Sequence, residues 1–415
     1  MNSVLRSETK KKVKPFWYRP DNLVRQSLSL LYLSYLTNWK NMPRWLLKYG
    51  ISCLPGAAGA KGMGCIGFPS HPVWEITSSC NLSCIHCHTS GGTEERNELT
   101  TQEGKQLIAQ LAEIKDFQMM AYTGGEPLVR KDLFELLAYS KSLGFSNTIA
   151  TNATLVDDAI AQRLKRNGVV IAAVSLDGID AQTHDRIRRK KGAFDQALNG
   201  IRCLHDAGIL LHINITAMNY NIKEIQRLLH LVDELGTGIL LMYQLVPVGR
   251  GSSIKDASLD TSSNERLIKL ISQAQKKSNA VIEPVAGPQY WAYLLKQKKI
   301  ENGVFLKIAE KVFHGCTAGR GFVYIKPNGS VWPCPFIEVN CGNVREQSFQ
   351  NIWHYSPVFE QLRNRETLLK GQCGECDYRS LCGGCRGRAL SLTGDLLEED
   401  PSCFLHEGNH IMKTE

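Results

Sequence analysis

Between residues 71 and 250 short apolar runs alternate with amphipathic stretches, and this rhythm limits the possible folds more than any other feature of the chain. Runs at 72–77, 118–123, 147–151, 169–176, 210–216 and 239–244 read as strands. Stretches near 101–115, 131–143, 157–166, 193–207 and 222–235 carry apolar residues at helical spacing. Gly144, Gly168, Gly208 and Gly236 each stand just past a last periodic apolar residue, where a helix stops. Six strands separated by five helices make a parallel sheet with right-handed crossovers. Six units do not close an eight-fold barrel. The expected fold class is therefore α/β, a partial (β/α)6 TIM-like barrel, with active residues at the C-terminal ends of the strands.

The flanks differ in texture. Residues 1–70 read as a basic helical extension, 251–314 as a helical connector, 315–405 as a Cys-rich domain and 406–415 as a tail. The 415-residue chain has a formal net charge of +9, and residues 1–70 alone hold seven Lys and four Arg against Glu8 and Asp21. The surplus belongs to the extension and not to a folded domain, so no nucleic-acid partner is expected. In the extension a basic run (Lys10, Lys11, Lys12, Lys14) precedes Phe16, Trp17 and Tyr18, and Leu28, Leu31, Tyr32, Tyr35 and Trp39 follow at helical spacing. Such a segment either covers an apolar face of the barrel or makes peripheral contact with a membrane surface through residues 1–50. The longest charge-free stretch there, 26–39, has 14 residues, whereas a membrane span needs roughly 20 apolar ones. The early segment also lacks a signal-type cleavage site, so a cytoplasmic location is expected.

Fourteen Cys in a reducing compartment point to metal or redox chemistry and not to disulfides. Three of them, Cys80-x3-Cys84-x2-Cys87, lie in the loop after the first strand. Three thiolates so spaced can wrap one face of a [4Fe–4S] cube and leave one iron without a protein ligand; a zinc site is the alternative. The second strand runs into Thr123-Gly124-Gly125-Glu126-Pro127, where two glycines permit close backbone approach to a ligand. The third ends in Thr151-Asn152-Ala153-Thr154 and the fourth in Ser175-Leu176-Asp177-Gly178. Polar residues at successive strand ends suit a polar ligand lying across the barrel top. The segment from Gly315 onward would hardly fold without staples. It opens with an expected hairpin, 321–326 and 330–332, turning at Asn328-Gly329. It carries Cys316, Cys334, Cys341, Cys373-x2-Cys376-x5-Cys382-x2-Cys385 and Cys403, and for the two C-x2-C pairs a zinc ribbon is the competing reading.

Taken together, these motifs resemble the radical S-adenosylmethionine (SAM) superfamily. The resemblance implies that the open iron chelates SAM, that Gly124, Gly125 and Glu126 meet its amine, and that Asn152, Ser175 and Asp177 lie near its ribose and carboxylate. His86 stands where the family has an aromatic residue beside the adenine, and Ala153 where it usually has Gly. The C-terminal set looks like the SPASM auxiliary-cluster domain. That likeness implies one [4Fe–4S] cluster on Cys373, Cys376, Cys382 and Cys403, and a second on Cys316, Cys334 and Cys385. The extra ligand that some members carry has no counterpart at Phe322 or Val323, which leaves Cys341 as a substitute or that cluster with an open iron. Cys53, Cys65 and Cys203 remain as ordinary thiols.

Finer texture is similar to the tetrapyrrole-processing branch, in Val246-Pro-Val-Gly-Arg250-Gly, Pro333-Cys334-Pro335-Phe336 and Cys382-Gly-Gly-Cys385-Arg-Gly-Arg388-Ala. This implies removal of hydrogen and carbon dioxide from a propionate side chain, with Arg186, Arg188, Arg250 and Arg345 as candidate propionate partners. Electrons would come from a low-potential donor such as ferredoxin or flavodoxin. Two other readings are a maturase linking side chains of a ribosomal peptide and a non-catalytic iron–sulfur electron carrier. A carrier has no need for the Gly124-Gly125-Glu126 set.

Overall fold

The computed structural model describes residues 63–64, 71–92, 97–115, 117, 119–275, 277–278 and 280–405. Apart from Met63 and Gly64, the basic extension, with Cys53, Cys65 and the expected membrane contact, lies outside the described residues, as does the 406–415 tail.

The six expected strands are present as β1 (His71–Glu75), β2 (Met119–Thr123), β3 (Ser146–Thr151), β4 (Val169–Ser175), β5 (Leu210–Ala217) and β6 (Ile239–Gln244). Adjacent strands pair in parallel and in sequence order. Between them run α1 (Thr101–Ala112), α2 (Leu133–Ser142), α3 (Asp158–Arg166), α4 (Ala181–Arg188), α5 (Ala193–Asp206) and α6 (Ile225–Glu234). Local chemistry fixes several ends. Thr100 and Glu103 form a reciprocal capping box on α1, and Asp157 and Asp180 cap α3 and α4. Gly144, Gly168, Gly208 and Gly236 all take positive φ, between 69° and 94°, the left-handed conformation that ends a helix.

The sheet is larger than six strands. The expected helical connector does hold α7 (Thr261–Gln275), α8 (Gln289–Gln297) and α9 (Gly303–Val312), but it also supplies β7 (Val281–Val285), parallel to β6. Pro284 is tolerated there because β7 is the edge strand. At the other edge the expected hairpin forms as β8 (Phe322–Ile325) and β9 (Val331–Trp332). Its first strand pairs in parallel with β1, Phe322 opposite His71, so the Cys-rich segment continues the barrel sheet to make nine strands. The main core is shared as well: Trp74 and Leu107 of the barrel belong to the same buried cluster as Phe349, Phe359 and Cys382.

On the concave side alternate residues of the strands surround a cavity of about 300 Å3 that opens toward the loops after β1.

Candidate active site

Cys80, Cys84 and Cys87 all border that cavity and none is in a disulfide. The loop is fastened from behind. Cys80 N donates to Gly92 O at 2.9 Å, and Ile85 N to Ile187 O of α4 at 3.0 Å. Arg250, just past β6, donates its Nε to Cys84 O at 2.9 Å and its Nη1 to Gly91 O at 2.7 Å. The neighbouring Gly249, at φ 54°, lies so close that a Cβ would collide with His88 O. Burial pushes the Cys80 thiol up to about 11 and raises Cys84 too, so both thiols need a cation beside them to ionise. Among the described residues no three His, Cys, Asp or Glu side chains converge on a single ion, and a cube, which takes one thiolate on each iron so held, does not require it.

Beside this loop the Gly124-Gly125 turn presses against the chain entering Cys80. Gly125 N donates to Thr77 O and Glu126 N to Ser79 O, both at 2.8 Å. A Cβ on Gly124 (φ 156°) would strike Thr77 O, and one on Gly125 would strike Ser79 O. Both glycines line the cavity; Glu126 lies beneath it, fully buried. Its carboxylate accepts from Thr151 Oγ1 and Asn152 N at 2.8 Å and from Leu128 N at 3.2 Å, which locks the β2 and β3 ends together. Burial outweighs these bonds and pushes the Glu126 carboxyl up to about 7.

Asn152 and Ser175 also line the cavity, and Asn152 Nδ2 donates to Asn81 Oδ1 at 2.8 Å, inside the Cys loop. Ala153 keeps the left-handed backbone (φ 58°) at no exposure, at a strain cost of about 1–2 kcal/mol relative to Gly. Asp177 is buried beneath the wall, where it joins Arg188 Nη2 at 2.5 Å, His86 Nε2 at 3.3 Å and Thr216 N at 2.8 Å. Burial pushes its carboxyl up, but Arg188 and then His86 prevail and hold it below its ordinary value. Burial lowers His86 to about 4, so its ring is neutral near pH 7. With Nε2 turned to Asp177, His86 Nδ1 is buried without a hydrogen-bond partner among the described residues, an acceptor left for a ligand.

The C-terminal cysteines separate into groups. Burial raises Cys382 well above its usual value, followed by its neighbours Cys403, Cys373 and Cys376. Burial likewise raises Cys385 to about 11, and the charges facing it are Arg388, Asp400 and Cys316. Cys316 and Cys334 pack around Ala318, Ile337 and Leu362. Cys341 packs instead on the main core, with its Sγ 3.8 Å from Val339 O. Cys203 is buried within α5 among apolar residues.

Of the four candidate propionate cations, Arg188 and Arg250 line the cavity, both already engaged as described. Arg186 is exposed on the last turn of α4. Arg345 is bound to Glu103 on α1, with Nε–Oε1 at 2.6 Å, and its guanidinium clamps the carbonyls of Asn97 and Glu98. That places Arg345 in the brace between the hairpin segment and α1, because a bidentate surface carboxylate lies within its reach. Sequence reasoning missed the link between the two Cys regions. Arg388 Nη1 donates to Gln244 Oε1 at the end of β6 (2.8 Å), and its Nη2 donates to Asp400 Oδ2 (2.8 Å), which also accepts from Cys385 N (2.8 Å). It also missed the aromatic rim, where His88 meets Phe336 edge-on at 5.6 Å and Tyr243 meets Phe336 at 6.5 Å. Neither has a local sequence signal, since the partners are far apart in the chain.

A parallel partial barrel with three thiols at its mouth and a Cys-rich segment on its edge defines an iron–sulfur enzyme that uses SAM. The chain belongs to the radical SAM superfamily: that family's model matches residues 74–232, and the iron–sulfur cluster-binding SPASM model matches residues 316–377. It therefore binds a SAM-chelating [4Fe–4S] cluster and auxiliary iron–sulfur clusters. It is 39% identical to an AdoMet-dependent heme synthase of Methanosarcina barkeri, over 81% of this chain and 96% of that one. It is 31% identical to the mycofactocin maturase MftC of Mycolicibacterium smegmatis, over 82% and 84%. Among solved structures it is similar to Streptococcus suis SuiB bound to S-adenosylmethionine, with a TM-score of 0.66 at 20% identity over 82% of this chain and 78% of that one. Among the described residues no helix is long and apolar enough to cross a membrane.

Proposed function

We propose that this enzyme oxidatively decarboxylates propionate side chains of an iron tetrapyrrole, the haem-forming type of reaction. Cys80, Cys84 and Cys87 would hold the cluster, which would supply the electron for reductive cleavage of SAM to a hydrogen-abstracting 5′-deoxyadenosyl radical. Gly124 and Gly125 leave bare backbone for the SAM amine, and Asn152 and Ser175 offer polar atoms along the same wall. His86 Nδ1 is an acceptor for the adenine amino group. Glu126 and Asp177 act from beneath, one holding the β2 and β3 ends together and the other orienting His86 and Arg188. The observation that carries the substrate reading is the shared rim: Cys87 and His88 on one side and Pro335 and Phe336, next to Cys334, on the other border one largely apolar cavity. A flat apolar macrocycle fits such a rim, with its propionates toward the polar strand ends. The 39% identity to a heme synthase, against 31% to a peptide maturase, favours the same choice.

The auxiliary sets we assign are Cys373, Cys376, Cys382 and Cys403 for one cluster and Cys316, Cys334 and Cys385 for the other, with Cys341 outside both. A low-potential ferredoxin or flavodoxin would supply electrons, and so thiol-rich an enzyme belongs in the reducing cytoplasm. The test is anaerobic turnover of the reconstituted protein with SAM, a reductant and iron-coproporphyrin, followed by mass spectrometry of the porphyrin. Stepwise loss of carboxyl groups matched by 5′-deoxyadenosine is expected. If SAM is cleaved while the porphyrin stays intact, the substrate reading falls and a peptide takes its place.

A further inference from the structure

Arg365 opens a single 3-10 turn, Arg365–Thr367, ahead of the Cys373 segment. It has no solvent exposure, and among the described residues its Nε, Nη1 and Nη2 all lack a hydrogen-bond partner. Its neighbours in the Cys-rich region are differently placed. Arg388 is paired with Asp400 at 2.7 Å, and Arg386 donates to Leu396 O at 3.1 Å and Glu398 O at 2.6 Å. The adjacent Glu366 makes no hydrogen bond to it; it is held by Arg320 at 2.8 Å and is the weakest of the charges acting on Arg365. A guanidinium cannot give up its proton to escape burial, and an uncompensated buried ion costs several kcal/mol. Burial, and then Arg320, do pull Arg365 down to about 10, with the Cys316 thiolate pulling the other way. The interior around it therefore lacks an anion that the finished protein must contain.

The position of the group says which anion. Gly383, at φ 64°, is where a Cβ would stand 2.7 Å from Arg365 Nε and 3.0 Å from Nη2, so the guanidinium lies flat on the Cys382-Gly383-Gly384-Cys385 loop. That loop joins the two ligand sets, and Cys316, of the set with Cys334 and Cys385, faces Arg365. A [4Fe–4S] cube with three thiolates is a net anion whose sulfurs accept hydrogen bonds, and such bonds set its potential.

We propose that Arg365 is the buried counter-ion of the auxiliary cluster on Cys316, Cys334 and Cys385, its N–H groups donating to that cluster's sulfurs and raising its reduction potential. The reduced cube carries one more negative charge than the oxidised one, and a fixed cation in a water-free site favours the reduced form. A cluster poised in this way accepts an electron readily, as the acceptor in an oxidative decarboxylation must. The inference rests on the ligand assignment made above.

The experiment is an EPR-monitored redox titration of the full reconstituted chain, comparing wild type with Arg365→Met and Arg365→Lys. One auxiliary midpoint is expected to move to more negative potential in the Met variant, the other two clusters staying in place, while Lys keeps it near the native value. If the Met variant instead sheds that cluster, its iron content falls by about a third while the Lys variant keeps it, which also supports the proposal. Three unmoved midpoints with full iron content in the Met variant overturn it. Equal iron loss in both variants also overturns it, because the side chain would then be needed for its shape and not its charge. A wild-type protein holding fewer than three clusters would fault the ligand assignment and not the role of Arg365.

Discussion

Cys80, Cys84 and Cys87 face a cavity, and their loop is held from behind by main-chain hydrogen bonds and by Arg250. Cys373, Cys376, Cys382 and Cys385 are buried, with Arg365, Arg386 and Arg388 packed inside the same region at 2% exposure or less. At the first site the buried cation Arg188 is already neutralised by Asp177. On the ligand assignment proposed above, the contrast follows from what each cluster must do. A cluster that chelates SAM needs an open face and a wall of unfilled polar atoms, which the barrel strand ends provide. A cluster that passes electrons needs enclosure and fixed charge, which the C-terminal segment provides through its arginines.

The hardest test of this contrast is to delete one side. Replacing Cys80, Cys84 and Cys87 together by Ala should abolish 5′-deoxyadenosine formation and lower iron from about twelve to about eight per chain, leaving the auxiliary clusters spectroscopically intact. Residual SAM cleavage would break the assignment. On the enclosed side, Cys373→Ala should lose iron and open the region after Gly315 to protease while the barrel stays folded, since metal binding there is folding free energy. Limited proteolysis with mass mapping reads this directly.

Smaller effects sharpen the picture of the open site. Asp177→Asn leaves Arg188 buried without its anion and should cost about 3 kcal/mol in chemical denaturation, together with weaker SAM binding. The last effect is a pH dependence. Glu283 of β7 faces the cavity, and burial alone pushes its carboxyl up to about 8. Its folded value is above its unfolded value of 4.5, so its contribution to stability is complete below that pH and is lost as pH rises through about 8. The melting temperature should therefore fall by a few degrees between about pH 5 and 8 in wild type, and by less in Glu283→Gln.

Whatever depends on near neighbours along the chain is legible in the amino-acid sequence. Strand and helix periods, the four glycine stops and the Cys80-x3-Cys84-x2-Cys87 spacing are local patterns, and a helix end or a three-thiolate face is built within a few residues. Edge pairing, in contrast, is a contest between distant segments. That contest makes 281–285 a seventh strand and adds the Phe322–Ile325 hairpin strand to His71–Glu75. The same holds for the arginines. In the sequence Arg188, Arg345 and Arg365 are alike, three cations in polar stretches. Folding pairs Arg188 with Asp177 inside the site, spends Arg345 on Glu103 at the surface, and buries Arg365 without a hydrogen-bond partner among the described residues. A charge takes its role from the counter-charge it meets, and that meeting is made by chain segments far apart in sequence.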